Sequence, residues 1–140
     1  MIKDTMRLLY YSTPSFADCD FPLIKEYMEK GMYGGVIHCF SYAKETARQF
    51  LDLGYMIGIG GVVTFKNARK VKETVEYVPM DRLLLETDCP YLAPEPHRGT
   101  RNSSLNLPLV AAQIATLKGI SEEEVTEITF RNAKRFYGID

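Results

Sequence analysis

Four short apolar segments alternate with helical patterns along this chain, and this alternation constrains its fold more than any other feature. The segments are almost continuously apolar, which is typical of strands buried on both faces of a parallel sheet. They lie at residues 8–11, 35–40, 55–59 and 82–86. The pattern predicts an α/β fold, in which parallel strands are joined by helical crossovers in the order βαβαβαβαα.

Capping and helix-ending residues stand between those segments. Asp20 and Ser41 are predicted to cap the first two helices, and Pro79 to end the third. Gly119 is predicted to end the fourth helix, and Ser121 to open the last one as the first residue of a capping box. Two glycines end the first and second helices, Gly31 and Gly54. The apolar residues expected on buried helix faces are Leu23, Ile24, Tyr27, Met28, Ala68, Val71, Val75, Val78, Leu107, Val110, Ile114, Leu117, Val125 and Ile128.

The length of 140 residues fits a single domain, which we place over residues 1–140. A complete (β/α)8 barrel takes about 250 residues, so four βα units amount to about half of one. The pattern of strands and helices leaves two architectures open, a small open sheet and part of such a barrel. Both architectures carry their functional residues at the carboxyl ends of the strands.

The charge balance and the apolar runs limit the partners of this chain. Its formal net charge of −1 excludes a protein that binds nucleic acid through a generally basic surface, so any such contact must be local. No apolar run approaches the roughly 20 residues of a membrane span, and no secretory signal is expected. The three cysteines are too widely spaced for a zinc knuckle. These features predict a soluble cytoplasmic protein without a membrane partner.

Polar residues stand at the ends of two predicted strands. His38 and Asp88 arrive at the same edge of a parallel sheet, and imidazole together with carboxylate suits a divalent metal ion. Taken singly, a histidine after a buried strand is more often a core residue, and an aspartate there often caps the next helix. Glu86 shares the strand parity of Asp88, so it either faces the same interior or supports the following loop.

The long loop after Asp88 carries a cluster of basic and polar side chains: His97, Arg98, Arg101 and Asn102. Two guanidiniums beside a histidine and an amide could clamp a phosphate in fork geometry. The alternative is a solvated loop whose arginines pair with carboxylates.

Three glycines near the end of the third strand, Gly58, Gly60 and Gly61, superficially suggest a phosphate-binding loop. They match neither the GxGxxG spacing nor the lysine-serine/threonine ending of such loops. We therefore interpret them as positions of close packing at a strand end.

Several motifs in order resemble the TatD-like family of metal-dependent deoxyribonucleases. They are GVIHCFS at 35–41, GGVVTFKNA at 60–68, LLLETDCPYLAP at 83–94, PHRGTRN from 96 to 102 with one interruption at 100, and NAKRFYG at 132–138. The similarity is strongest over residues 34–138. It implies the last four βα units of a TIM-type (β/α)8 metal-dependent hydrolase barrel that cleaves DNA phosphodiester bonds.

The resemblance also implies roles for individual residues. His38 would ligate a metal at the end of the sixth barrel strand, and Asp88 at the end of the eighth would ligate metal and take a proton from the attacking water. The expected cofactor is Mg²⁺, Mn²⁺ or Zn²⁺, and the expected substrate is DNA. The loop that holds Arg98 and Arg101 corresponds to the family's active-site loop, which favours the phosphate clamp.

The chain also departs from the family pattern. The family's His-x-His and its fourth-strand Glu fall outside the sequence, Tyr11 stands where the fifth-strand His is expected, and Ser103 and Ser104 replace a frequent Glu-Pro. Two protein ligands cannot fill a four- to six-fold coordination shell. Three hypotheses follow: a homo-oligomer that completes the site and covers bare edge strands, a complementary half-barrel chain, or a non-catalytic remnant that acts as a binding or assembly partner.

Overall fold

The computed structural model describes residues 8–11, 21–30 and 34–139. Four strands form one sheet in the order β1-β2-β3-β4, and each neighbouring pair is parallel. The strands are β1 (Leu8–Tyr11), β2 (Gly35–His38), β3 (Met56–Ile59) and β4 (Leu83–Leu85). The predicted parallel α/β fold is confirmed.

Five helices connect and follow the strands. They are α1 (Phe21–Glu29), α2 (Lys44–Asp52), α3 (Arg69–Tyr77), α4 (Leu107–Lys118) and α5 (Glu122–Tyr137). Short 3₁₀ turns lie at Gly61–Thr64, Met80–Arg82 and Ser104–Asn106. The predicted order βαβαβαβαα is therefore confirmed over the described residues. None of the helices in that part of the chain is long and apolar enough to cross a membrane.

Most of the predicted helix ends are correct, and one is wrong. The Ser121 hydroxyl accepts a hydrogen bond from the Glu124 backbone N–H at 3.1 Å, and Gly119 ends α4 in the left-handed conformation. Ser41 does not cap α2, which begins at Lys44. The backbone N–H of Phe40 still donates to the Gly58 carbonyl of β3, so Ser41 directly follows a residue that is bonded to the sheet. Asp20 and Gly31 lie outside the described residues.

One face of the sheet packs against the helices and forms the main core. Ile37, Ile57 and Leu83 occupy neighbouring positions on β2, β3 and β4, and all three are fully buried. Most predicted helix positions join this core, including Val75 and Ile114. Tyr27 was predicted to face inward but is 46% exposed, and the Lys30 ammonium lies over its ring, 5.5 Å from the centroid.

The opposite face has two parts. In one part, Val36, Met56 and Leu84 form a second buried cluster, against which Ala133 and Phe136 of α5 pack. Strand parity places His38, Gly58 and Glu86 on this same face, nearer the carboxyl ends. The face is therefore apolar at one end, and its polar residues gather at the edge where α/β folds build their sites.

The last helix is fixed to the start of β4 by polar contacts. The buried amide of Asn132 donates to the backbone carbonyls of Met80 at 2.7 Å and Leu83 at 2.9 Å. Arg135 donates to the carbonyl of Asp81 at 2.6 Å. The motif at 132–138 therefore has a structural role, because it holds α5 against the apolar end of the sheet.

Candidate metal centre

His38 and Asp88 meet at the carboxyl edge of the sheet. Nε2 of His38 lies 3.2 Å from Oδ1 of Asp88, and each side chain is less than one-fifth exposed. His38 ends β2 and Asp88 follows β4, so β3 runs between them. The two side chains nevertheless approach each other over this strand. The prediction that His38 and Asp88 lie at the same edge of the sheet is confirmed.

Both residues stand where the backbone changes direction. Cys39, directly after His38, has a φ of 50°, and Asp88 itself has a φ of 55°. Left-handed conformations are uncommon for residues other than glycine, and they concentrate at functional sites. At β2, this turn ends the strand two residues earlier than the apolar pattern indicated.

Glu86 occupies the interior of the site together with His38. Its Oε2 lies 2.6 Å from Nδ1 of His38, and its Oε1 accepts the backbone N–H of Cys39. The sequence left Glu86 with two open roles, and it was not among the predicted site residues. The available signal was that Glu86 and Asp88 are two residues apart, so that their side chains point to the same face of a strand. In the structure, the Glu86 side chain faces the interior of the site and does not support the following loop instead.

The carboxylates around His38 change its protonation. The hydrogen bond to Glu86 is the largest cause, and together with Asp88 it raises the pKa of His38 to about 9 despite the opposing effect of burial. In the protein without metal, His38 is therefore an imidazolium at neutral pH. It donates one hydrogen bond to each carboxylate, from Nδ1 to Glu86 and from Nε2 to Asp88.

The donor set suits a divalent cation. Imidazole nitrogen and carboxylate oxygen are common ligands of zinc and manganese, and carboxylate also suits magnesium. One potential ligand atom each from His38, Cys39 and Glu86 lies within 4.8 Å of the other two. Burial raises the pKa of the Cys39 thiol, which disfavours the thiolate that metal binding requires. His38 and Asp88 fit the metal better, but they do not complete a coordination shell.

The residue of β1 beside His38 is Tyr11. The two residues are register partners at the carboxyl ends of β1 and β2. The family resemblance implies a histidine ligand at this strand end, and the neighbouring strand therefore carries a tyrosine in its place. None of the four residues of β1 is a histidine.

The loop after Asp88 is held in place by Asn102, a residue that was predicted to contact phosphate. Asn102 is 3% exposed, and its amide donates to the carbonyls of Thr87 at 2.7 Å and Tyr91 at 2.8 Å. Its Oδ1 accepts from the Ser103 backbone and from the Asn106 side chain, each at 2.9 Å. Both donors and both acceptor positions are engaged, so no group of this amide is left for a phosphate.

The other three predicted phosphate contacts lie on the exposed surface of this loop. His97, Arg98 and Arg101 are all exposed. The Arg98 guanidinium stacks on the ring of Phe65, with 4.3 Å between its central carbon and the ring centroid. The solvated-loop alternative required ion pairs between these arginines and carboxylates. Among the described residues, neither Arg98 nor Arg101 forms such a pair.

The glycines after β3 allow the close packing that the sequence indicated. A Cβ on Gly61 would overlap the Leu92 carbonyl oxygen and lie 2.9 Å from the Pro94 nitrogen. The hydroxyl of Thr64 adds a contact, since it accepts the Glu95 backbone N–H at 2.8 Å. The loop therefore lies directly against the turn after β3, and the prediction of close packing is confirmed.

Comparison with known proteins decides the family. The model of the TatD related DNase family matches residues 15–138. The chain belongs to this family. Among its TatD relatives, the uncharacterized metal-dependent hydrolases YcfH of Escherichia coli and YabD of Bacillus subtilis are each 50% identical over 107 residues, which is 76% of this chain. The "3'-5' ssDNA/RNA exonuclease TatD" of Klebsiella pneumoniae is 35% identical over 123 residues, or 84% of this chain.

Solved structures of the TatD family share the fold. YJJV, a TatD homologue from Escherichia coli, has a TM-score of 0.79 at 28% identity and is matched by 89% of this chain. A TatD family hydrolase from Entamoeba histolytica has a TM-score of 0.81 at 22% identity over 97% of this chain. The chain covers 47% and 52% of those structures, and 40%, 42% and 46% of YcfH, YabD and the Klebsiella protein.

Proposed function

We propose that this TatD-family chain provides part of a metal-dependent phosphodiesterase that acts on DNA. The observation that carries the proposal is the convergence of His38 Nε2 and Asp88 Oδ1, 3.2 Å apart, at the carboxyl edge of the sheet. An imidazole and a carboxylate from two separate strands are suitable ligands for Mg²⁺, Mn²⁺ or Zn²⁺. The name of the Klebsiella relative supports a nucleic-acid substrate.

His38 and Asp88 have separate tasks in this proposal. A bound divalent cation would lower the pKa of a coordinated water and neutralise charge on the phosphoryl oxygens. His38 would release its Nε2 proton and bind through that nitrogen, while Glu86 keeps its hydrogen bond to Nδ1. Asp88 would bind through one carboxylate oxygen and accept the proton of the attacking water on the other.

We assign substrate binding to the exposed loop side chains. Arg98 and Arg101 can each present a planar set of donors to phosphate oxygens, and His97 adds a third polar group. The stacking of Arg98 on Phe65 restricts the guanidinium, so less rotamer freedom is lost when it binds a phosphate. Asn102 contributes indirectly because it holds the loop.

We also propose that the four βα units are the carboxyl-terminal half of a barrel and that a second chain completes the site. The chain spans less than half the length of YcfH, and β1 and β4 each pair with one neighbour in the described sheet. Strand edges of this kind pair readily with another chain. A second copy, or a chain with the amino-terminal half of the barrel, would cover them and supply the remaining metal ligands.

A non-catalytic role is the second candidate, and Tyr11 is the observation that favours it. Tyr11 is the register partner of His38, at a position where the family resemblance implies a metal ligand. A phenol is a poor replacement for an imidazole ligand at neutral pH, because its pKa is about 10. In this case, the chain would act as a binding or assembly partner.

The proposed location is the cytoplasm. Cys39 and Cys89 are free thiols in the part of the chain that the structure describes, as a reducing compartment would maintain them. The proposal includes no membrane partner, since the sequence offers no apolar run of the length that a membrane span requires.

Cleavage of labelled DNA tests the hydrolase proposal. Single- and double-stranded substrates are incubated with Mg²⁺, Mn²⁺ or Zn²⁺ and either the wild-type chain or Asp88→Asn, both purified identically. Metal-dependent cleavage that Asp88→Asn lacks supports the proposal. Equal cleavage by both proteins indicates contaminating nuclease and contradicts it.

Complementation separates the two candidates if the wild-type chain alone is inactive. The part of Escherichia coli YcfH outside the 107 matched residues is added together with each metal. Activity that appears only in the mixture, and only with Asp88 intact, supports the half-barrel proposal. Inactivity of every mixture favours the non-catalytic candidate.

A further inference from the structure

We infer that Glu86 is a positioning residue for His38 and that Gly58 provides the space in which it acts. The inference concerns the imidazole orientation in this chain. Its consequence for metal affinity rests on the proposed function. Neither Glu86 nor Gly58 is among the residues that the family resemblance assigned to metal binding.

Glu86 holds the histidine through two contacts at once. Its Oε2 lies 2.6 Å from Nδ1 of His38, and its Oε1 accepts the backbone N–H of Cys39. One carboxylate therefore fixes both the ring of His38 and the backbone directly after it. The Glu86 backbone is itself tied to the sheet, because its N–H donates to the Ile59 carbonyl at 3.1 Å.

Gly58 is the residue of β3 over which this carboxylate reaches β2. A Cβ on Gly58 would overlap Glu86 Oε2 and lie 2.8 Å from Glu86 Cδ. Any larger residue would therefore displace the carboxylate from Nδ1. Gly60 offers a contrast, since a Cβ there would meet the Glu86 backbone oxygen at 3.3 Å and the side-chain Cγ at 3.7 Å.

The consequence is a defined direction for the other ring nitrogen. With Nδ1 held by Glu86, Nε2 is the nitrogen that faces Asp88. Histidine ligands commonly donate their second N–H to a carboxylate, which sets the tautomer and the orientation of the ring. Both oxygens of Glu86 already accept N–H groups, so the geometry favours this role over direct ligation by Glu86.

NMR of the metal-free chain tests the positioning directly. The chain has two histidines, and the exposed His97 serves as the internal reference for the signals of His38. The variants are Glu86→Gln and Gly58→Ala, with Gly60→Ala as the matched control. In the wild-type chain, the Nδ1 proton of His38 should resonate downfield and be protected from exchange. Backbone amide spectra establish that each variant is folded.

We expect Glu86→Gln to move this resonance upfield, because the charge is lost and one carbonyl oxygen cannot serve both N–H donors. Gly58→Ala should have the same effect although it leaves the carboxylate intact, whereas Gly60→Ala should preserve the signal. An unchanged Nδ1 resonance in folded Glu86→Gln would overturn the inference. If Gly58→Ala does not fold, Glu86→Asp, whose side chain is shorter, takes its place.

Calorimetry with Mn²⁺ extends the test to the metal. Loss of the carboxylate that orients a histidine ligand typically lowers metal affinity about 10- to 100-fold, and we expect this loss in Glu86→Gln and Gly58→Ala but not in Gly60→Ala. Complete loss of binding in Glu86→Gln would identify Glu86 as a ligand and contradict the inference. Absence of binding by the wild-type chain would count against the proposed function alone, because the NMR result is obtained without metal.

Discussion

His38 and Asp88 approach to 3.2 Å although the strands that carry them are not neighbours in the sheet. β3 lies between those strands, and its Gly58 contributes no side chain to the space that the site uses. The proposed metal centre therefore depends on three strands, two of which would supply ligands and one of which supplies space. This arrangement has testable consequences for the protonation of His38, the attachment of the loop after Asp88 and the binding of substrate.

Metal binding should release a proton. Glu86 and Asp88 together raise the pKa of His38 to about 9, and a metal can bind Nε2 only after the proton has left. Between pH 7 and pH 8.5 we expect the apparent Mn²⁺ affinity to rise by up to about tenfold per pH unit, as for release of one proton. Calorimetry in two buffers of different ionisation enthalpy measures the release. A pH-independent affinity would contradict this prediction.

The metal-free chain should lose stability as the pH rises. The pKa of His38 is about 9 in the folded chain and about 6.5 when unfolded, so its stabilisation is complete below pH 6.5 and is lost as the pH passes through 9. The loss should reach at most about 3 kcal/mol in the free energy of unfolding. Urea denaturation of the wild-type chain and His38→Gln measures it. The variant should show a flatter profile between pH 7 and pH 9.

The turn after β3 should tolerate a methyl group at one glycine and not at the next. A Cβ on Gly61 would overlap the Leu92 carbonyl oxygen, whereas a Cβ on Gly60 would come no nearer than 3.3 Å to the Glu86 backbone oxygen. We expect Gly61→Ala to cost about 1–3 kcal/mol in unfolding free energy and to increase proteolysis of the loop. Gly60→Ala is the matched control, and equal stability of the two variants would contradict the proposed packing.

Arg101 and Asn102 are adjacent in sequence but should affect different properties. Arg101→Gln removes an exposed charge, so we expect weaker DNA binding, a shallower salt dependence and unchanged stability. Asn102→Ala removes an amide that donates to two carbonyls, and should cost about 1–3 kcal/mol in stability. Fluorescence anisotropy at several salt concentrations and thermal unfolding separate these effects. Reduced stability in Arg101→Gln would argue for a structural role instead.

The fold was predictable to the extent that local pattern determines it. Continuous apolar runs located the four strands, and Ser121 located the start of α5, because capping depends on neighbouring residues. Ser41 was misleading, because Phe40 before it is still hydrogen-bonded to Gly58 of β3 and α2 begins only at Lys44. The contact of Phe40 is with another strand, and no local pattern predicts it.

The site was only partly predictable for the same reason. Strand-end position brought His38 and Asp88 together correctly. Asn102 resembled a polar ligand in sequence, yet its burial gives it a role in holding the loop. The role of Glu86 depends on a glycine of another strand, so it could be recognised only once β3 had been placed between β2 and β4.

Metal binding by this chain tests the central claim most directly. Mn²⁺ and Zn²⁺ are titrated by calorimetry into the wild-type chain, His38→Asn and Asp88→Asn, with His97→Asn as the control for the other histidine. We predict that the wild-type chain and His97→Asn bind the ion, and that each of the other two variants loses more than about 100-fold in affinity. Equal affinity in all four proteins, or no binding by the wild-type chain either alone or mixed with the complementing part of YcfH, would contradict a metal centre at His38 and Asp88.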